Sequence, residues 1–177
     1  VLSLAWSANS LFIASGGKDM TVKVHSVYKL PGYAPPSLTG HRSSIRAVFF
    51  GTDGQTIYAI TRDAALSVWE LQPRPDAEPS VIEAQKAQAV AEGGAGRGEE
   101  ALGFWWQLTS RFYFDKDHAK VTSAVLHAPT QLLVVGFASG VFSIYDLPGG
   151  GRADGAALAM LPGEAGAAEF AAKTAAK

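Results

Sequence analysis

The stretch IRAVFFGTDGQTIYAITRDAALSVWEL, Ile45 to Leu71, decides the fold. Three apolar runs alternate with two short polar turns. The first run ends at Phe50, the second centres on Ile57 and the third closes at Trp69. The turns are GTDG and the tight bend at Asp63. Runs this short, separated by Gly, Asp and Thr, predict three antiparallel strands joined by hairpin turns.

The pattern recurs on both sides without a gap. Val1 to Val27 reads VLSLAWSANSLFIASGGKDMTVKVHSV, and Val121 to Leu147 reads VTSAVLHAPTQLLVVGFASGVFSIYDL. The three copies are each 27 residues long, and their starts lie 44 and then 76 residues apart. The aligned columns have a physical reading. Trp6, Phe50 and Leu126 close the first strand, and the turns SANS, GTDG and HAPT follow. Ile13, Ile57 and Leu133 centre the second strand. Asp19, Asp63 and Ser139 mark the tight turn, and His25, Trp69 and Tyr145 close the third strand. In VVGFASGVFSIYDLP, Val134 to Pro148, apolar residues occupy both parities of a short hairpin. A surface hairpin would alternate apolar with polar residues, so this one is expected to be dry on both faces. A fourth strand is expected in GFWWQLTSRFYF, Gly103 to Phe114, from its aromatic and β-branched content.

LTGH, Leu38 to His41, precedes the second copy. Gly40-His41, the turn Asp63 and the closing Trp69 at these spacings resemble a WD40 repeat, the four-stranded blade of a β-propeller. The expected fold is therefore all-β, with about three blades of an incomplete propeller over 1–148, in units 1–27, 45–71 and 121–147. Stacked blades would explain the dry faces, because one repeat cannot bury its own. The resemblance implies a buried hydrogen-bonded network of His, Ser or Thr, Asp and Trp. Gly40, His41, Asp63 and Trp69 would supply it in the second unit, where Ala59 replaces the hydroxyl residue. Ser15 and Asp19 would supply it in the first, where His25 stands in the Trp column. The third unit carries Asp117-His118, shifted by one residue, with Ser139 for Asp and Tyr145 for Trp. Propellers usually have about four to eight blades, so three units and a Val at position 1 are read as a piece of a longer chain.

The 177 residues suffice for a real core, and 47% apolar with 18% charged is a globular balance. The net charge of -1 gives no overall field toward nucleic acid or an acidic membrane, although a local basic patch is compatible with it. The absence of cysteine excludes disulfides, thiol catalysis and cysteine zinc sites, and fits a reducing compartment. VLSLAW lacks a basic start and a cleavage site, and no apolar run approaches the ~20 residues of a membrane helix. A soluble protein is expected.

Residues 73–103 break the period and are read as a flexible insert. PRPDAEP leaves a strand, SVIEAQKAQAVAE has the composition of a short helix, and GGAGRGEE is a linker. GGAGRG is not a phosphate loop, because no strand precedes it and no Lys-Ser/Thr pair follows. The Ala- and Gly-rich tail, 149–177, has helix propensity from Glu164 to Lys177 and does not resemble a further blade. A hydrolase set built on His41, Asp63 and a serine lacks a nucleophile elbow, so no catalytic residue is assigned. His25, His41, His118 and His127 lack metal-motif spacing, and neither a metal nor a cofactor is expected. Trp105 and Trp106 could stack on bases, but neighbours in a strand face opposite ways, so packing of one is favoured. Lys18, Arg42, Arg46 and Arg62 flank turns and form a candidate partner surface along one propeller face.

Three stretches go beyond a generic blade: GHRSSIRAVFFGTDGQTIYAITRDAALSVWEL, WWQLTSRFYFDKDHAKVTSAVLH and LLVVGFASGVFSIYDLP. Together they resemble the amino-terminal propeller of the periodic tryptophan protein two family, over about Val1 to Pro148. That family also carries a variable polar insert where Pro73 to Gly103 lies. The resemblance implies a non-enzymatic nucleolar scaffold of the small-subunit processome, supporting pre-rRNA processing and small ribosomal subunit assembly. Its implied partners are other WD40 subunits and processome proteins. Pre-rRNA and the U-three small nucleolar RNA particle would be met indirectly, with no membrane and no small-molecule substrate. The alternative is a WD40 adaptor of another pathway, such as a ubiquitin-ligase substrate receptor or a trafficking coat.

Overall fold

The computed structural model describes residues 1–28, 33–74, 83, 103–114, 120–147 and 159–160. The segment read as an insert helix (apart from Glu83), Asp117-His118, Pro148 and the Glu164 to Lys177 segment lie outside them.

Three four-stranded antiparallel sheets follow one another along the chain. The first holds β1 (Ser3–Trp6), β2 (Phe12–Gly16), β3 (Val22–Ser26) and β4 (Ser37–Leu38). The second holds β5 (Ile45–Phe50), β6 (Thr56–Thr61), β7 (Ala65–Pro73) and β8 (Phe104–Tyr113). The third holds β9 (Val121–His127), β10 (Leu132–Phe137), β11 (Phe142–Asp146) and β12 (Ala159–Met160). Each 27-residue unit therefore supplies the first three strands of one sheet. The expected fourth strand in Gly103 to Phe114 is β8. The Ala/Gly-rich tail contributes β12, which pairs Met160 with Tyr145 and Ala159 with Asp146; the sequence reading does not anticipate it.

The hairpins share one backbone device. The twentieth residue of each unit takes positive φ: Met20 at 62°, Ala64 at 63° and Gly140 at 85°. A left-handed residue at this point matches the turn to the right-handed twist of its strands. Only the third unit uses glycine, which adopts that conformation without steric cost.

Side-chain alternation explains how the sheets stack. Every residue of β6 is buried. Ile57 and Ala59 join Ile45, Val48, Phe50 and Trp69 against Phe12, Ala14, Val22, Val24 and Leu38 of the first sheet. Tyr58 and Ile60 point the other way, joining Ala47, Leu66 and Val68 against Val121, Leu133, Val135, Phe137 and Tyr145 of the third. Successive side chains leave a strand on opposite faces, so one central strand serves two cores. Backbone bonds tie the sheets together as well. Ile45 N–H donates to Gly17 O at 3.0 Å, and Val121 N–H to Arg62 O at 2.9 Å.

The expectation of a hairpin dry on both faces is corrected for the third sheet. Leu133, Val135 and Tyr145 are buried, but Val125 is 60% and Phe142 58% exposed on the opposite face. The dry face abuts the second sheet, and among the described residues no further sheet covers the other. The first sheet mirrors this. Ala14 and Val24 are buried, whereas Leu4 and Trp6 are 65% and 59% exposed.

β7 and β8 run past their sheet. β6 begins at Thr56, opposite Glu70, while β7 and β8 stay paired as far as Pro73 and Phe104. The resulting two-stranded ribbon is closed by Arg74 N–H donating to Gly103 O at 3.0 Å.

Candidate interaction surfaces

The blade residues form local bonds rather than one connected network. In the first sheet Ser15 Oγ and His25 Nε2 are 3.2 Å apart, and Thr21 Oγ1 donates to Asp19 at 2.8 Å. That hydrogen bond holds the Asp19 carboxyl below its usual pKa. In the second sheet Thr61 Oγ1 donates to Asp63. His41 instead reaches back to the first sheet, where Nδ1–H donates to Met20 O at 3.1 Å. Its ring packs against Trp69 with centroids 5.9 Å apart. Arg111, on β8, donates from Nη2 to Gly40 O at 2.9 Å and so anchors the loop that carries His41. Burial pushes the His41 imidazole pKa down; the Met20 carbonyl opposes this, and the charge of Arg111 reinforces it.

Two polar atoms of this group remain buried without partners: His41 Nε2 and Trp69 Nε1. Ala59 explains the second. It occupies the position that Ser15 holds in the first sheet, where the hydroxyl meets His25, the counterpart of Trp69.

No hydrogen bond joins His41 to Asp63, and each has its own structural partner. The other described histidines are also engaged, His25 with Ser15 and His127 with Thr130 Oγ1 at 2.7 Å. Among the described residues no three His, Cys, Asp or Glu side chains are placed to hold a metal ion, and no helix is long and apolar enough to cross a membrane.

The candidate partner residues gather at one end of the sheets. Arg62 N–H donates to Ser44 O and Ala138 N–H to Lys120 O, so the β6–β7 and β10–β11 turns lie beside the entries of β5 and β9. Lys18, Arg42 and Arg62 are exposed there. Arg46 departs from them: it sits at an irregularity between Ile45 and Ala47, partly buried, with Nε unpartnered. Lys120 joins the exposed group. Sequence reasoning missed Arg111 and Lys120. The column before each unit, Ser44 and Lys120, was a usable signal for the second; nothing local marks Arg111. At the opposite end Trp106 packs on Phe50, with centroids 6.2 Å apart, while Trp105 is 43% exposed.

Comparison with known proteins agrees with this architecture. The family model described as WD domain, G-beta repeat matches residues 1–26 and 34–70. The Schizosaccharomyces pombe protein described as periodic tryptophan protein 2 homolog is 38% identical over 148 residues, covering 84% of this chain and 16% of its own. The Saccharomyces cerevisiae periodic tryptophan protein 2 is 33% identical over 151 residues, covering 84% of this chain and 15% of its own. The chain thus spans about a sixth of the length of these relatives. The crystal structure of Saccharomyces cerevisiae Sqt1 superposes with a TM-score of 0.58 at 17% identity, covering 91% of this chain and 34% of that one.

Proposed function

The chain belongs to the periodic tryptophan protein 2 family of WD40 proteins, and from that premise we propose that it is part of a non-catalytic scaffold of the small-subunit processome. In this reading it supports pre-rRNA processing and small ribosomal subunit assembly in the nucleolus. Its three sheets are consecutive blades of a propeller within a longer protein, residues 1–148 forming the blade region with an insert at 73–103, of which Pro73, Arg74 and Gly103 belong to the β7–β8 ribbon. Its direct partners are other WD40 subunits and processome proteins, and RNA is reached through them. Residues 149–177 are read as a tail apart from the two that form β12.

One observation carries the proposal: similarity to periodic tryptophan protein 2 extends over 84% of the chain. A generic blade signal would stop at the matched repeats. The local hydrogen bonding supports a non-catalytic role, because Met20 and Thr61 already occupy His41 and Asp63. Affinity purification of the full-length parent is expected to recover small-subunit processome proteins, and its fluorescent fusion is expected to concentrate in the nucleolus. Recovery of a ubiquitin ligase or a coat complex instead, with a parent excluded from the nucleolus, would overturn it.

A further inference from the structure

The charges of the described residues are segregated by end. Among the described residues, one end carries Lys18, Arg42, Arg46, Arg62, Arg111 and Lys120 against two carboxylates, Asp19 and Asp63. The other carries Asp53, Glu70 and Asp146 against Arg74. A total near neutrality therefore hides a cationic face, and such a face attracts opposite charge over about a Debye length of 8–10 Å. Two of its cations are committed to the fold: Arg111 holds Gly40 O, and Arg46 is partly buried. The other four are exposed, and none is paired with a carboxylate among the described residues. Exposed apolar side chains stand among them, Met20 at 43% and Val141 at 51%.

We propose that this end, formed by Lys18, Met20, Arg42, Arg62, Lys120 and Val141, is the docking surface for an acidic peptide segment that also carries apolar side chains. The inference deepens the scaffold reading, on which it rests, by giving the partner a chemistry. Two observations favour a peptide over nucleic acid. Asp19 and Asp63 interrupt the cations, which a continuous phosphate track disfavours and discrete carboxylates accommodate. Met20 and Val141 offer contacts for apolar side chains, which phosphates and sugars do not use.

The test uses the full chain and fluorescence anisotropy with two probes: a labelled peptide alternating glutamate with leucine, and labelled polyuridylate of matched length. The peptide is expected to bind, and more weakly as salt rises. Arg42→Glu with Arg62→Glu is expected to weaken it by about tenfold or more, while Arg74→Glu at the other end leaves it unchanged. Should that pair disturb folding, seen by circular dichroism, Lys18→Glu with Lys120→Glu carries the same expectation. An affinity indifferent to charge reversal at this end overturns the proposal. So does polyuridylate binding more tightly than the peptide at equal salt, which would reassign the face to nucleic acid. Either result leaves co-purification of processome proteins with the parent untouched, so the two readings fail separately.

Discussion

At Ala59 a single missing oxygen leaves Trp69 Nε1 buried without an acceptor. The first sheet shows what that oxygen does, since Ser15 meets His25 at the matching pair of positions. A buried donor left unbonded costs about 1–3 kcal/mol. Ala59→Ser is therefore expected to stabilise the chain by about 1 kcal/mol, read as a raised midpoint in urea unfolding; an unchanged or lowered midpoint would refute the assignment. His41 makes a pH prediction. Burial lowers its pKa in the folded chain below the unfolded value of about 6.5. As pH falls past that value, the unfolded chain takes up the proton first, so stability declines and then levels off beneath the folded pKa. Melting temperatures followed from about pH 8 to about pH 5 are expected to fall, and less steeply in His41→Gln.

Stacking of strands depends on how closely two backbones approach. A Cβ on Gly16 of β2 would stand 2.8 Å from Val48 Cγ2 and closer still to Ile45 Cγ2, both on β5. Gly16→Ala is expected to force the first two sheets apart and cost about 1–3 kcal/mol, measurable by chemical denaturation. Nine strands and their turns were legible in the sequence, because each unit repeats three apolar runs at fixed spacing, with Asp19, Asp63 or Ser139 at the tight turn. β8 was legible from its aromatic content. β4 and β12 were not: they are two residues long, and two residues display no alternation. The bonding of His41 was equally hidden. Its acceptor, Met20 O, lies 21 residues away on the preceding sheet, and no periodicity encodes the path of the loop between them. The apolar parity of Val134 to Leu147 predicts a hairpin dry on both faces, but only one of those faces has a neighbour among the described residues, and Phe142 on the other is exposed.

As a whole, the three sheets present an apolar face at each extreme that no described sheet covers, Leu4 and Trp6 on one and Val125 and Phe142 on the other. Apolar patches of this kind drive association. The chain is expected to self-associate with rising concentration, and Trp6→Lys combined with Val125→Lys is expected to return it toward a monomer in sedimentation velocity. Persistence of the larger species in that variant would place the contact elsewhere. The ribbon of β7 and β8 bears on how this molecule tolerates added mass. Its two strands leave and re-enter within one hydrogen bond, Arg74 N–H to Gly103 O. Whatever is spliced between those residues meets the blade at a stem one bond wide, beyond the start of β6 at Thr56. A fluorescent reporter grafted there is expected to leave every strand pair in register whatever its length, because both ribbon strands are fixed by their own ladder before the graft begins.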